Sequence, residues 1–251
     1  MYLYNKLINL LFSKPKFYKV LLGPARGMYL YMALRTGLKK FIGDYEKKQT
    51  NFMCRVIQPG DYVFDLGSHI GYFTVLFAKL TGSKGRVFSF EPIREGYEFQ
   101  LKSIEKNKLR NVTVFNFAVG DENRQQKAYV FSDSGMAHFD RTVLNLKEDH
   151  ESDVFTIKTL DGVPEISELP RLDFMKIDIE GFEYKALRGG EKLIRAHKPN
   201  MLIEIHTPEN YKGVYGFLSG LGYKFFDLDM NKVDLNTQFA HQIHHIYVSV
   251  K

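Results

Sequence analysis

The sequence contains a single cysteine, Cys54, among its 251 residues. One cysteine excludes an internal disulfide, and it excludes the thiolate clusters that hold zinc in finger-type modules. We therefore expect a reducing compartment and predict a cytoplasmic location. Long apolar runs are also missing. The N-terminal apolar stretch covers about twelve residues, short of the roughly 20 that a spanning helix needs, and no small-residue cleavage site follows it, so we expect neither a membrane anchor nor a signal peptide.

The basic excess of the chain lies entirely in its first fifth. Lys and Arg outnumber Asp and Glu by 35 to 29. Residues 1–50 hold ten of these bases and two acids, a net charge of +8, and the remaining 25 bases and 27 acids leave residues 51–251 at −2. A slightly acidic main body lacks the positive surface of nucleic-acid-binding proteins, so nucleic acid is an unlikely partner. We divide the chain into an extension, residues 1–50, and a main domain, residues 51–251.

The extension begins with an amphipathic pattern. Apolar residues recur near helical spacing over the first twelve residues, and bases interleaved with aromatic residues follow. The pattern predicts a helical extension. Two interpretations remain open: a helical cap packed on the main domain, which we favour, or a peripheral contact of residues 1–13 with anionic lipid.

From Pro59 onward, short strand-like runs alternate with helical stretches, which predicts an α/β fold with a mostly parallel sheet of seven strands and helices on both faces. Strands are expected at 62–67, 86–92, 112–121, 172–181, 201–206, 223–228 and 245–250. The last strand follows its predecessor too closely for a crossover helix and should run antiparallel. Residues 122–170 contain two further strand-like runs and are interpreted as an inserted hairpin or loop region.

Two strand ends suggest a nucleoside-bearing cofactor. Asp65 lies inside the first strand, and Gly67 and Gly71 follow in a sharp turn that lets a ligand approach the backbone. Neither a GxGxxG nor a GxxxxGK[ST] run is present to seat phosphates, and an acid beside the loop suits a cationic amino acid portion such as that of S-adenosylmethionine (SAM). Glu91 ends the next strand, where a carboxylate can accept hydrogen bonds from a ribose diol.

Several segments together resemble the FkbM family of SAM-dependent methyltransferases, within the class I Rossmann-like superfamily. They are GDYE (43–46), VFDLGSHIGYFT (63–74), GRVFSFEP (85–92), FAVGD (117–121), TLDGV (159–163) and MKIDIEGFEYKALRGG (175–190). The resemblance implies methyl transfer from SAM. It implies cofactor-binding roles for Asp65, Gly67, Ser68, Gly71, Thr74, Glu91, Pro92, Ala118, Val119 and Asp178, with Glu91 at the ribose and Ala118–Val119 beside adenine.

Polar rows at the ends of two later strands provide candidate catalytic residues. Lys176, Asp178 and Glu180 are two apart and share one face, as do Glu204 and His206. Methyl transfer needs an oriented, deprotonated acceptor, so His206 is the candidate general base, with Glu204 orienting its ring or Asp178 assisting. In the alternative, Asp178, Glu180, Glu204 and His206 hold a divalent metal ion. We favour the metal-free hypothesis.

The absence of two sequence motifs limits the chemical class of the methyl acceptor. The sequence has no Asn/Asp-Pro-Pro-Tyr/Phe motif for methylating exocyclic amino groups, and Cys54 does not stand in a Pro-Cys pair. We expect transfer to a hydroxyl oxygen of a glycan, a lipid-linked saccharide or a natural product. A nucleic-acid methyltransferase and a SAM-binding protein without catalysis are the alternatives.

Overall fold

The computed structural model describes residues 12–131, 136–138, 152–234 and 245–250. The strands are β1 (Lys16–Lys19), β2 (Tyr29–Met32), β3 (Tyr62–Leu66), β4 (Arg86–Phe90), β5 (Val112–Phe115), β6 (Ala118–Val119), β7 (Arg124–Phe131), β8 (Met136–His138), β9 (Ser152–Lys158), β10 (Phe174–Ile177), β11 (Asn200–Glu204), β12 (Lys224–Phe226) and β13 (His245–Ser249). The helices are α1 (Leu34–Ile42), α2 (Lys47–Val56), α3 (Tyr72–Thr81), α4 (Arg94–Asn107), α5 (Pro164–Ser167), α6 (Glu183–Gly189), α7 (Glu191–His197) and α8 (Pro208–Gly220). Within these ranges, none of the helices has both the length and the apolar character needed to span a bilayer.

The central sheet has seven strands in the order β5-β4-β3-β10-β11-β13-β12. The five strands from β5 to β11 pair in parallel, whereas β13 inserts antiparallel between β11 and β12. This confirms the predicted Rossmann-like sheet and its antiparallel last strand. All the carboxyl ends of the five parallel strands meet at one edge, where ligands bind in open α/β sheets.

Both faces of the sheet are buried, which explains the nearly continuous apolar strands. Neighbouring residues in a strand enter opposite cores: Val63 packs with α2 and α3 on one side, while Phe64 packs in the core of α6 to α8 on the other. Phe174 and Met175 repeat the alternation in β10. The sheet is therefore fixed from both sides.

The strand expected at 112–121 is wrong as a single element. β5 ends at Phe115, and β6 leaves the central sheet to pair in parallel with β9. Asn116 lies at the break, and its side-chain amide donates to the carbonyl oxygens of Glu91 and Pro92 at 2.8 and 3.0 Å. These bonds replace the ladder bonds that a continuous strand would make. β6 and the inserted region form a second sheet in the order β6-β9-β7-β8.

The extension is not wholly helical. β1 and β2 pair antiparallel across residues 16–32, and α1 follows. The strand YLYM alternates in burial with period two, whereas KFYK is mostly exposed. Gly23 and Gly27 in the connection have positive φ angles. Of the helix expected over the first twelve residues, all but Phe12 lies outside the described residues. The proposed boundary at residue 50 falls inside α2.

Side chains of α4 attach this hairpin to the main domain. The Asn107 amide accepts a hydrogen bond from the Tyr29 backbone N–H at 2.8 Å and donates to the Tyr29 carbonyl at 2.6 Å. The Ser103 hydroxyl accepts from the Tyr31 backbone N–H at 2.9 Å. Two helical side chains thus satisfy the free edge of β2 as a neighbouring strand would.

We expect Asn107→Ala to destabilise the protein by about 1–3 kcal/mol, because two backbone groups of Tyr29 lose their partner. Chemical denaturation measures the loss, and hydrogen exchange should show faster exchange in residues 16–32 than in β3 or β10. Glu105→Ala, at an exposed position of the same helix, is the control. Unchanged exchange of the hairpin amides in Asn107→Ala would contradict this attachment.

Candidate functional site

A cavity of about 210 Å³ opens at the carboxyl ends of β3, β4 and β10. Seven of the predicted cofactor residues line it: Gly67, Ser68, Glu91, Pro92, Ala118, Val119 and Asp178. The rest of the lining includes aromatic side chains such as Phe117 and the charged side chains of Lys176 and Glu180. A cavity with apolar walls and a few polar groups suits a ligand of mixed character.

The loop after β3 contains three residues with positive φ angles. Gly67 and Gly71 have φ angles of 75° and 85°, and His69 between them has φ 52°. A Cβ on Gly67 would lie 1.7 Å from the carbonyl oxygen of Asp178, and one on Gly71 would lie 2.6 Å from Cγ of Gln100. Both positions therefore require glycine, since the conformation and the close approach each exclude a side chain.

Three predicted cofactor residues, Asp65, Gly71 and Thr74, lie behind the wall of the cavity. Asp65 and Thr74 are fully buried, and the Thr74 hydroxyl donates to the Asp65 carboxylate at 2.6 Å. Gly71 caps the start of α3. Burial places these three residues where they shape the loop, and their cofactor-binding roles stay predictions.

Lys176 is the buried cation between two carboxylates beside the cavity. Its ammonium lies 3.1 Å from Asp178, 3.8 Å from Asp65 and 3.3 Å from the Gly67 carbonyl oxygen. Burial alone would raise the pKa of Asp178, but the positive charges of Lys176 and His206 hold it below its usual range. Asp178 is thus an anion at neutral pH.

Glu91 lies on the cavity wall with its carboxylate already anchored. One oxygen accepts from the His69 backbone N–H at 2.6 Å, and the other accepts from the Ile93 backbone N–H at 2.8 Å. Burial raises the pKa of Glu91 to about 7, although these two hydrogen bonds lower it. Each carboxylate oxygen has a second lone pair, so the anchoring leaves acceptor capacity for a ligand hydroxyl.

His206 is oriented by a residue that the sequence analysis did not identify. Its Nδ1 lies 2.8 Å from the buried carboxylate of Glu183, while Nε2 lies 3.6 Å from Glu180 and 3.7 Å from Asp178. The expectation that Glu204 orients the ring is wrong, because Glu204 lies 3.9 Å from His206 and instead pairs with His245 at 2.9 Å. Glu183 is at the start of α6, directly after the strand end that carries Asp178.

The carboxylates around His206 favour its protonated form. Burial by itself lowers the pKa of His206, but the hydrogen bond and charge of Glu183, with the charges of Glu180 and Asp178, outweigh burial and raise the pKa to about 9. The imidazole is therefore cationic at neutral pH in the protein alone. A general base must be neutral, so this pKa sets the condition under which His206 can accept a proton.

Among the described residues, Asp178, Glu204 and His206 have ligand atoms within 4.8 Å of one another. Carboxylates with one imidazole suit Mg²⁺ or Mn²⁺, and Glu180 lies beside them. However, the positive charges of His206 and Lys176 already balance these carboxylates, and a metal ligand must be a neutral imidazole. We therefore keep the metal-free hypothesis.

The cavity also contains residues without a predicted role. Lys40 and Tyr45 come from the extension, Tyr72 and Phe73 from the start of α3, and Phe182 from the turn before α6. All of them except Lys40 lie in the segments that resemble the FkbM family, but the resemblance gave them no role. The extension therefore forms part of the wall of the cavity.

With this geometry in place, comparison with known proteins identifies the family. The model of the methyltransferase FkbM domain matches residues 65–225. The chain belongs to the FkbM methyltransferase family. It is thus a SAM-dependent methyltransferase by family, and its cavity offers the carboxylate, apolar and charged groups that SAM requires.

Two curated proteins and one solved structure illustrate how similar this chain is to known methyltransferases. The hexuronic acid methyltransferase AglP of Haloferax volcanii is 27% identical over 179 residues, covering 69% of this chain and 68% of the relative. Protein-L-isoaspartate O-methyltransferase of Aeropyrum pernix is 37% identical over 67 residues, 27% of this chain and 25% of that protein. The crystal structure of an FkbM methyltransferase from Methylobacillus flagellatus KT shares the fold, with 17% identity and a TM-score of 0.50, over 80% of this chain and half of that one.

We expect Glu91→Gln to weaken SAM binding about tenfold or more, since a hydrogen bond to a charged carboxylate contributes on the order of 1.5–3 kcal/mol. Calorimetry measures the affinity. The exposed Glu98, which pairs with Arg94, supplies the control variant Glu98→Gln.

A second comparison separates ribose binding from loop support. Wild-type protein should bind 5′-methylthioadenosine more tightly than its 2′-deoxy form, and Glu91→Gln should remove that difference. If the variant weakens both nucleosides equally, Glu91 acts only through the His69 and Ile93 backbone, and the ribose assignment is wrong.

Proposed function

We propose that this FkbM methyltransferase transfers the SAM methyl group to a hydroxyl oxygen of a saccharide, within a glycan or on a lipid carrier. The observation that carries the proposal is the cavity itself, which is lined by Glu91 and the Ala118–Val119 segment and by Asp178 and Glu180. Nε2 of His206 lies 3.7 Å from Asp178 and 3.6 Å from Glu180. A cofactor site and an acid-base cluster thus adjoin.

The saccharide acceptor draws its support from one relative. AglP acts on a hexuronic acid, according to its name, and shares 27% identity with this chain over most of both sequences. A polar acceptor also suits the cavity because the carboxylates of Asp178 and Glu180 can accept hydrogen bonds from several sugar hydroxyls. We extend the saccharide class to this protein on these grounds.

Bound SAM would supply a methyl group on a positively charged sulfur; its transfer would form the bond to the acceptor oxygen, break the C–S bond and release S-adenosylhomocysteine as a neutral thioether. The chain's own residues orient the acceptor hydroxyl and take up its proton. The Glu183 hydrogen bond fixes His206 with Nδ1 protonated, so a neutral ring presents Nε2 toward Asp178 and Glu180. Nε2 is then the proton acceptor, and Glu180 and Asp178 stabilise the imidazolium that forms. Holding the hydroxyl in attack geometry provides the remaining acceleration.

The function is tested by incubating the protein with SAM and candidate saccharides and detecting methylated products by mass spectrometry. We expect methylated saccharide, and about a hundredfold lower turnover with His206→Gln because the amide cannot accept the proton. In the wild type, kcat/KM for the acceptor should rise with pH up to the pKa of His206, about 9, and level off above it, where the ring is neutral. The variant should lose this rise.

His197→Gln is the matched control, because His197 ends α7 before β11 and lies at the opposite edge of the sheet. Full turnover by His206→Gln, or a profile already level at neutral pH as a carboxylate base would give, would remove His206 from the base role. Methylation of RNA or DNA instead of saccharides would support the nucleic-acid alternative. SAM binding without turnover would support the non-catalytic one.

We further propose that the extension contacts anionic lipid. Leu21, Leu22, Leu38 and Ile42 are 39–58% exposed, and the Leu22 backbone N–H donates to the Ile42 carbonyl oxygen at 3.0 Å, so these side chains form one surface, the aliphatic patch. Exposed bases of the extension, such as Lys39, lie in the same segment. Apolar side chains among bases fit a bilayer surface that carries negative charge.

Cosedimentation with vesicles tests this contact. We expect stronger binding to anionic than to neutral vesicles, reduced in the Leu22→Ser/Leu38→Ser variant because the inserted apolar area is lost. Leu101→Ser/Val154→Ser, at exposed apolar positions elsewhere, is the matched control. Deleting residues 1–13 tests the contribution of the first segment, with SAM affinity unchanged. Equal and negligible binding to both vesicle types would leave only the structural role of the extension.

A further inference from the structure

Lys40 is a buried cation on the wall of the cavity. It lies on α1, in the extension, and only 7% of its surface is exposed. It lines the same cavity as Asp178, Glu91 and Gly67. The extension therefore delivers a positive charge to the ligand site.

Among the described residues, no carboxylate lies within ion-pair distance of the Lys40 ammonium. The ammonium lies over the ring of Tyr45, 4.0 Å from its centroid. An ammonium has three N–H donors, and one aromatic face does not satisfy them. Lys176, on β10, differs from Lys40 because two carboxylates and a carbonyl oxygen already surround its ammonium.

Lys40 keeps its charge under ordinary conditions. Burial is the main influence on it and lowers its pKa to about 8, while Glu46 and Asp178 oppose this shift and Lys176 adds to it. The side chain is thus mostly protonated at pH 7, and burial makes this charge costly in free energy. A negatively charged ligand group would relieve this cost.

We propose that Lys40 binds a carboxylate in the cavity, an inference that rests on the proposed function and adds to it an anion-binding position. Two ligands of that function can supply the group: the methionine portion of SAM carries a carboxylate, and an acidic sugar acceptor carries another. Either carboxylate would meet Lys40 in the cavity beside the charged side chains of Lys176 and Asp178, with which Lys40 interacts electrostatically.

Calorimetry with Lys40→Met separates the two sources. Methionine preserves the length of the side chain and removes its charge. If Lys40 binds the SAM carboxylate, the variant loses about tenfold or more in affinity for SAM, yet binds decarboxylated SAM as the wild type does. Lys47→Met, at an exposed position on α2, is the control, and Lys40→Arg should restore part of the affinity.

The acceptor arm uses a uronic acid glycoside and its neutral counterpart. If Lys40 binds the acceptor carboxylate, SAM affinity is unchanged in Lys40→Met, while KM rises about tenfold for the uronic acid alone. Thermal unfolding verifies that the variant is folded, and Lys40→Arg repeats both arms with the charge retained. If neither carboxylate discriminates between the wild type and Lys40→Met, the inference is overturned while the proposed function stands. A wild-type protein that fails to bind SAM would overturn the proposed function and this inference together.

Discussion

The buried ammonium of Lys176 is the interaction on which the site depends. It projects from β10 between Asp65 of β3 and Asp178 just beyond β10, and it also contacts the carbonyl oxygen of the loop glycine Gly67. Without this charge, the two carboxylates would lose the cation that they share, and only the more distant His206 would remain beside Asp178. Removing one partner of a buried ion pair typically costs about 3–5 kcal/mol. The same ammonium keeps Asp178 ionised, and ionised Asp178 in turn favours the protonated form of His206.

Much of the main domain could be predicted from local patterns, because each parallel strand is buried on both faces and each helix carries a long periodic stretch. The helical stretch that follows the second predicted strand forms one continuous helix, Arg94–Asn107. The failures occurred where a tertiary contact overrides the local pattern. Asn116 breaks an apolar run by bonding to the end of β4, and the β1–β2 hairpin depends on Asn107 of a distant helix. Neither contact leaves a trace in the residues that it reshapes.

The site was predictable where it follows the strand ends and not where it depends on other elements. Gly67, Glu91 and Asp178 line the cavity because the carboxyl ends of parallel strands converge. Glu183 was missed because a glutamate at a helix start ordinarily suits the helix dipole, and nothing local indicates that it bonds His206. Lys40 was counted only as one more base of the extension, since its burial arises from packing of α1 against the main domain.

The close approach at Gly67 links two parts of the chain that are far apart in sequence. With the Asp178 carbonyl oxygen only 1.7 Å from where a Cβ would stand, an alanine at position 67 fits only if the end of β10 moves away. That movement would carry Asp178 with it and disturb the contacts of Lys176 and His206. The turn after β3 and the acidic end of β10 are therefore not separable modules. A related protein that remodels one of them must remodel the other, whatever acceptor it serves.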